Sequence, residues 1–254
     1  MTDGTSRRHV RWWMLAAVAT LLTGCSANWG WYVVDPTKSA GQTNLLFLIG
    51  GLKFTILLSV VSILISVVIG LLIALAGLSS SRFLRTVNRV YVEIVRSIPL
   101  LVLILWVYYG LPQLIGLNLG AFSAGVIALA LGDSAFQAEI FRAGIQSVGR
   151  GQLEAARSIS LSYWDTMRYV VLPQAIRHIL PALGNQFVYV LKMSSLVSVI
   201  GMQDLTRRAN ELVVTEYRAL EVYSVLVLEY LVLILIVSAG VRWLERRMRA
   251  DERE

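Results

Sequence analysis

The sequence predicts an all-α protein, a polytopic membrane helix bundle of five core transmembrane helices preceded by an N-terminal signal or extra span. Composition is the first reason: 56% of residues are hydrophobic and only 15% charged, with a mean hydropathy of +0.66, whereas a soluble domain carries about 25% charged residues. The second is the uncharged runs from Phe54 to Leu78 and from Ile98 to Gly132, which exceed the roughly 20 apolar residues that a spanning helix needs. The third is that these runs are continuous. A lipid-facing barrel strand alternates with period two, so helices are left to satisfy the backbone in lipid.

The first element is the segment 1–27. Arg7, Arg8, His9 and Arg11 precede an apolar run from Trp12 to Leu22, which ends in Leu22-Thr23-Gly24-Cys25. A basic region, a short apolar region and small residues form the layout of a secretory signal. The last four residues are similar to a bacterial lipobox, which would make Cys25 a lipidation site. An uncleaved extra span is the equal alternative. Both place an external segment, 28–44, before the first core span. Cys25 is the only cysteine, which excludes an intrachain disulfide and a cysteine metal cluster.

The remainder, 45–248, divides into spans expected at Leu45 to Ala76, Val90 to Leu111, Leu119 to Phe141, Ile179 to Ile200 and Val222 to Trp243. Gly110-Leu111-Pro112 with Gly116 and Gly120 supplies the turn that splits the longest run. Arg82, Arg85 and Arg89 crowd the first loop, and Arg142, Arg150, Arg157, Arg168 and Arg177 crowd the third. By the positive-inside rule those loops are cytoplasmic. The loop from Met202 to Glu221 has no basic excess and is expected outside, and the tail, 249–254, returns inside. The net charge of +7 is thereby explained by topology and attraction to anionic membrane lipid, and nucleic-acid binding is excluded as its cause.

The third loop, 142–178, has a helical pattern. Leu153, Ala156, Ile159 and Leu161 fit one face of a short helix. Ser162 is expected to cap a second short helix reaching Val171, with Pro173 and Pro181 interrupting the chain after it. Two short helices would make a knob whose small side chains at 155, 156 and 160 let another surface approach; the same pattern would serve a loop resting on lipid headgroups.

Glu154-Ala155-Ala156, the small residue Ser160 and Leu172-Pro173 resemble the EAA loop of ABC importer permeases. So do Arg96-Ser97-Ile98-Pro99-Leu100, Ala138-Glu139-Ile140-Phe141-Arg142-Ala143-Gly144 and Ser195-Leu196-Val197-Ser198, which are similar to the polar amino acid branch of that family. The chain departs from the family at Ser160, where glycine is usual, and at Met193, where aspartate is usual. The resemblance implies a type I importer permease fold and a bacterial cytoplasmic-membrane location. It implies as partners two ABC ATPase subunits, a periplasmic or extracellular substrate-binding protein, a second permease copy or close relative, and an amino acid substrate. It assigns ATPase coupling to Gly151, Glu154, Ala155, Ala156, Ser160 and Leu161. The chain has no Gly-rich phosphate loop followed by Lys-Ser or Lys-Thr and no nucleophile, base and orienter set. No enzyme activity, cofactor or metal is therefore expected of it.

Ionisable groups within spans are functional candidates. Asp133, beside Gly132 and Ser134, is a candidate for a substrate ammonium, and Lys192 for a substrate carboxylate; a buried Asp133–Lys192 pair is the alternative. Glu139 is expected to meet Arg142 at the i,i+3 spacing, and Arg96 to snorkel with Glu93. Glu229 faces either a partner subunit or the bundle. A gradient-driven secondary transporter or channel is the competing class, but it would call for paired internal repeats and a broken helix at the midplane. No paired repeat is visible.

Overall fold

A computed structural model describes residues 29–116 and 118–250, with side chains through 247. The signal or extra-span expectation for 1–27, the Cys25 lipidation site and residues 251–254 lie outside the described residues.

Among the described residues every regular element is helical. A 3-10 turn, Trp31–Val34, leads into α1 (Ser39–Ile49) and α2 (Leu52–Leu78), which together make one span, Ser39–Leu78. Next come α3 (Arg82–Ser97), α4 (Leu100–Leu105) and α5 (Leu111–Ile115), the last two joined by a π-turn, Trp106–Gly110. The longest buried helix is α6 (Ala121–Gln146), followed by α7 (Arg150–Ser158) and α8 (Tyr163–Asp165). A second π-turn, Thr166–Val171, runs into α9 (Leu172–Met193), and α10 (Leu205–Glu216) and α11 (Ala219–Ala250) complete the chain.

Four helical stretches are long and apolar enough to cross a membrane: Ser39–Leu78, Ala121–Gln146, Tyr163–Ile200 and Ala219–Arg247. Helix α3 and the α4–α5 segment are long and apolar enough to cross only when taken together, and they do not form the straight span expected from Val90 to Leu111. The two parts meet at a bend of 96°. Pro99 is the cause, because a proline drives the preceding residue out of the α region; Ile98 has φ −86° and ψ 123°.

The fourth span also differs from expectation. Neither Pro173 nor Pro181 ends it, and the helix runs from Tyr163 to Ile200. Pro173 comes directly after the π-turn, at the start of α9, where a missing amide donor costs least. Gln174 Nε2 donates to the Val170 carbonyl at 3.0 Å. The third loop is thus shorter than 142–178. The Ser162 cap forms as expected, its side chain accepting from the Asp165 amide at 3.1 Å.

The core is the packing of α2 on α6. The buried face of α2 is Thr55, Leu58, Ser59, Ser62, Ser66, Gly70 and Ala74, small residues at helical spacing that let the backbones approach closely. Gly70 lies against Gln137 and the Ser134 carbonyl of α6, with no room for a side chain. At one end of the bundle Val33, Leu48, Ala209, Leu212 and Val222 cluster, so the segment before α1 packs on α10. At the other end Ala74, Phe141, Val148, Val171, Ala175 and Ile179 cluster beneath α7. The segments expected outside therefore share one end, and the Arg-rich loops share the other.

Candidate functional site: an exposed knob and a cavity within the bundle

The knob is built by α7 and its terminator. Leu153 packs against the end cluster, and Ala156 is buried. Gly151, Glu154, Ala155 and Ser160 are exposed, and Leu161 is half-buried. Ala156 is therefore not part of the approachable surface that its small side chain suggested; it seats the knob on its own bundle.

The helix ends in a Schellman motif. Ser160 N–H donates to Arg157 O at 2.9 Å and Leu161 N–H to Ala156 O at 3.1 Å, the paired bonds that close this motif. The motif demands a left-handed residue at 160, and Ser160 has φ 58°. The family's usual glycine at this position thus has a backbone reason, and this chain keeps the same geometry with serine. On either side of it Ile159, Tyr163 and Trp164 are strongly exposed, the two rings meeting edge to face at 5.8 Å.

The second feature lies inside the bundle. Asp133 is buried and accepts from Ser66, from Gln137 Nε2 at 2.9 Å and from Gln186 Nε2 at 2.5 Å, so one carboxylate ties α2, α6 and α9 together. It lines a cavity of about 220 Å³ with Arg96, Pro99, Phe136, Tyr189 and Met193. Lys192 is exposed and does not line that cavity, and the buried Asp133–Lys192 pair does not form. Neutral donors on three helices supply what a cation would have supplied.

The cation at the cavity is instead Arg96. Its Nη1 lies 2.5 Å from Glu139 Oε2, and its guanidinium sits over the Phe136 ring at 4.9 Å. Arg96 thus pairs across the bundle, not with Glu93 on its own helix; the expected Glu139–Arg142 contact is present but longer, at 3.9 Å. Arg96, Phe136 and Tyr189 were not legible as cavity residues, nor Gln186 as a partner of Asp133. The one signal for Arg96 was a cation two residues before an Ile-Pro break, which turns its side chain back over α6. Met193, the second departure from the family pattern, lies in the cavity wall, so an apolar thioether stands where an acid is usual. Glu229 neither bonds within the bundle nor finds a donor among the described residues; it faces an apolar groove with Leu52, Leu205 and Val232. Among the described residues no group of His, Cys, Asp or Glu is arranged to hold a metal ion.

Comparison with known proteins agrees with this geometry. Residues 66–250 match the family described as binding-protein-dependent transport system inner membrane component. The chain is 38% identical over 203 residues to the glutamine transport system permease protein GlnP of Escherichia coli K12, covering 80% of this chain and 93% of that one. It is 41% identical over 198 residues to the probable glutamine ABC transporter permease protein GlnM of Bacillus subtilis 168, covering 78% and 91%. Among solved structures, an amino acid ABC transporter crystallised with histidines superposes with a TM-score of 0.76 at 47% identity, covering 80% of this chain and 94% of that one. The fold is thus shared with a solved amino acid ABC transporter, and the chain belongs to the binding-protein-dependent transport system inner membrane components, as an amino acid permease of the ABC importer type.

Proposed function

We propose that this permease is driven by a separate ATPase docked on the α7 knob and moves a polar amino acid past Asp133 and Arg96. The observation that carries the reading is the two-sided construction of α7. Glu154 and Ala155 face outward, while Leu153 and Ala156 rest on the cluster formed by the inner ends of α2, α6 and α9. A push on the outer face reaches three spans through apolar contact alone. The partners are two ATPase subunits, a substrate-binding protein on the outer side, and a second permease copy or close relative. The domain plan is an external segment, 28–44, a permease domain, 45–248, and a short cytoplasmic tail.

The cavity supports a zwitterionic substrate with an uncharged polar side chain. Arg96, not Lys192, takes the α-carboxylate, because it is the cation in the cavity wall. Asp133 meets the α-ammonium while keeping its hydrogen bonds to Gln137 and Gln186. Met193 offers no charge to a cationic side chain. The relatives named for glutamine transport support the same class. Replacing Glu154 with lysine should abolish ATP-driven uptake while leaving membrane insertion and thermal stability unchanged, since Glu154 is exposed and makes no ion pair among the described residues. Normal uptake at normal expression in that variant would remove α7 as the docking point.

A further inference from the structure

The helix α3 has three faces, of which one packs on the bundle and another meets it through the Arg96–Glu139 pair. Asn88 Nδ2 donates to Ile73 O at 2.8 Å, and Tyr91 and Ser134 share a hydrogen bond of 2.7 Å; this face holds α3 against α2 and α6. A second face carries Phe83, Val87, Val90 and Ile94, spaced as one helical stripe. All four are exposed, Phe83 at 73% and Ile94 at 55%. The third face carries Arg85, Arg89 and Arg96 and lines, with Arg142, Glu93 and Glu139, a polar cavity of about 660 Å³.

The charges in that cavity do not balance. Glu139 is already taken by Arg96 at 2.5 Å and Arg142 at 3.9 Å. Arg85 and Arg89, one turn apart, have no acidic partner within ion-pair distance among the described residues. The helix also lies across the direction of the α4–α5 segment, bent from it by 96°. A basic helix lying crosswise with an apolar stripe is the form that sits in a bilayer interface, and its arginines belong to the cytoplasmic side by the loop charges.

We propose that α3 and the arginine-lined cavity beside it bind an anionic phospholipid of the cytoplasmic leaflet, its phosphate held by Arg85 and Arg89 and its acyl chains laid along Phe83, Val87, Val90 and Ile94. A free phosphate would use the arginines and leave the stripe without a role. An apolar stripe and a separate basic face on one helix match an amphiphile at the bilayer interface. Guanidinium groups suit the site because they bind phosphate oxygens through two parallel donors.

The test is phosphatidylglycerol binding to the full chain purified in detergent, read as lipid adducts by native mass spectrometry. Phosphatidylglycerol should be retained and phosphatidylcholine should not, and retention should fall as salt is raised. The double variant Arg85→Gln/Arg89→Gln should weaken phosphatidylglycerol binding roughly thirtyfold, the factor expected for two arginines near an anionic surface. Arg246→Gln/Arg247→Gln should bind as the wild type does. Equal retention of the two lipids, retention indifferent to salt, or competition by inorganic phosphate as effective as by phosphatidylglycerol would overturn the proposal. The salt series and the phosphate competition use wild-type protein and so do not depend on the variant folding. None of these readouts involves uptake, so a failure here leaves the import reading intact.

Discussion

Ser160 shows how one side chain can be judged by its backbone. It sits at φ 58°, where a side chain with a β-carbon costs about 1 kcal/mol relative to glycine. Ser160→Gly should therefore raise thermal stability by roughly that amount with uptake unchanged, and Ser160→Val should lower it, both measurable by thermal unfolding in detergent. Asp204 makes the opposite kind of point. It is fully buried at the start of α10, where burial pushes its carboxyl up to about 6 against the hydrogen bonds of the Arg207 and Thr206 amides. Because the folded-state value is raised above the ordinary 3.8, its contribution to stability is fully present below pH 3.8 and is lost as pH rises through about 6. Asparagine keeps the cap, since its side-chain oxygen can still accept from the Arg207 amide. Asp204→Asn should accordingly remove that pH dependence and gain about 1 to 3 kcal/mol at pH 7.5, read from unfolding at several pH values.

At the scale of elements, the bundle depends on how closely α2 approaches α6. A side chain at 70 would strike Gln137 and the backbone of α6, and overpacking of this kind costs about 1 to 3 kcal/mol. Gly70→Val should lower the unfolding temperature and also loosen Asp133, whose Ser66 and Gln137 donors lie close by on the two helices; reduced uptake at permissive temperature would accompany it. The elements also show what a sequence can reveal. Five spans were legible because lipid imposes length and hydropathy, and the Ser162 cap because its side chain acts within one turn. The straight span from Val90 to Leu111 and the interrupted helix after Pro173 were misread for one reason. A proline's effect depends on the residues before it: Ile98 is extended and breaks the helix, whereas a π-turn before Pro173 lets the helix continue. The Asp133 partner Gln186 and the cavity residue Tyr189 were illegible because only the docking of α9 on α6 brings them to Asp133.

The whole molecule joins these parts into a line. The α7 knob rests on the inner cluster; that cluster includes the ends of α2, α6 and α9; and the same three helices hold Asp133 at the cavity wall. On the proposed reading, force applied at Glu154 reaches Asp133 through α2, α6 and α9, which pack side by side. Nothing in this line stores or releases energy by itself. The most direct measurement is amino acid uptake into vesicles holding this permease, with and without its ATPase, binding protein and ATP. Uptake should require all three additions and stop in the Glu154→Lys variant; accumulation by the permease alone, driven by an ion gradient with no nucleotide present, would contradict the account.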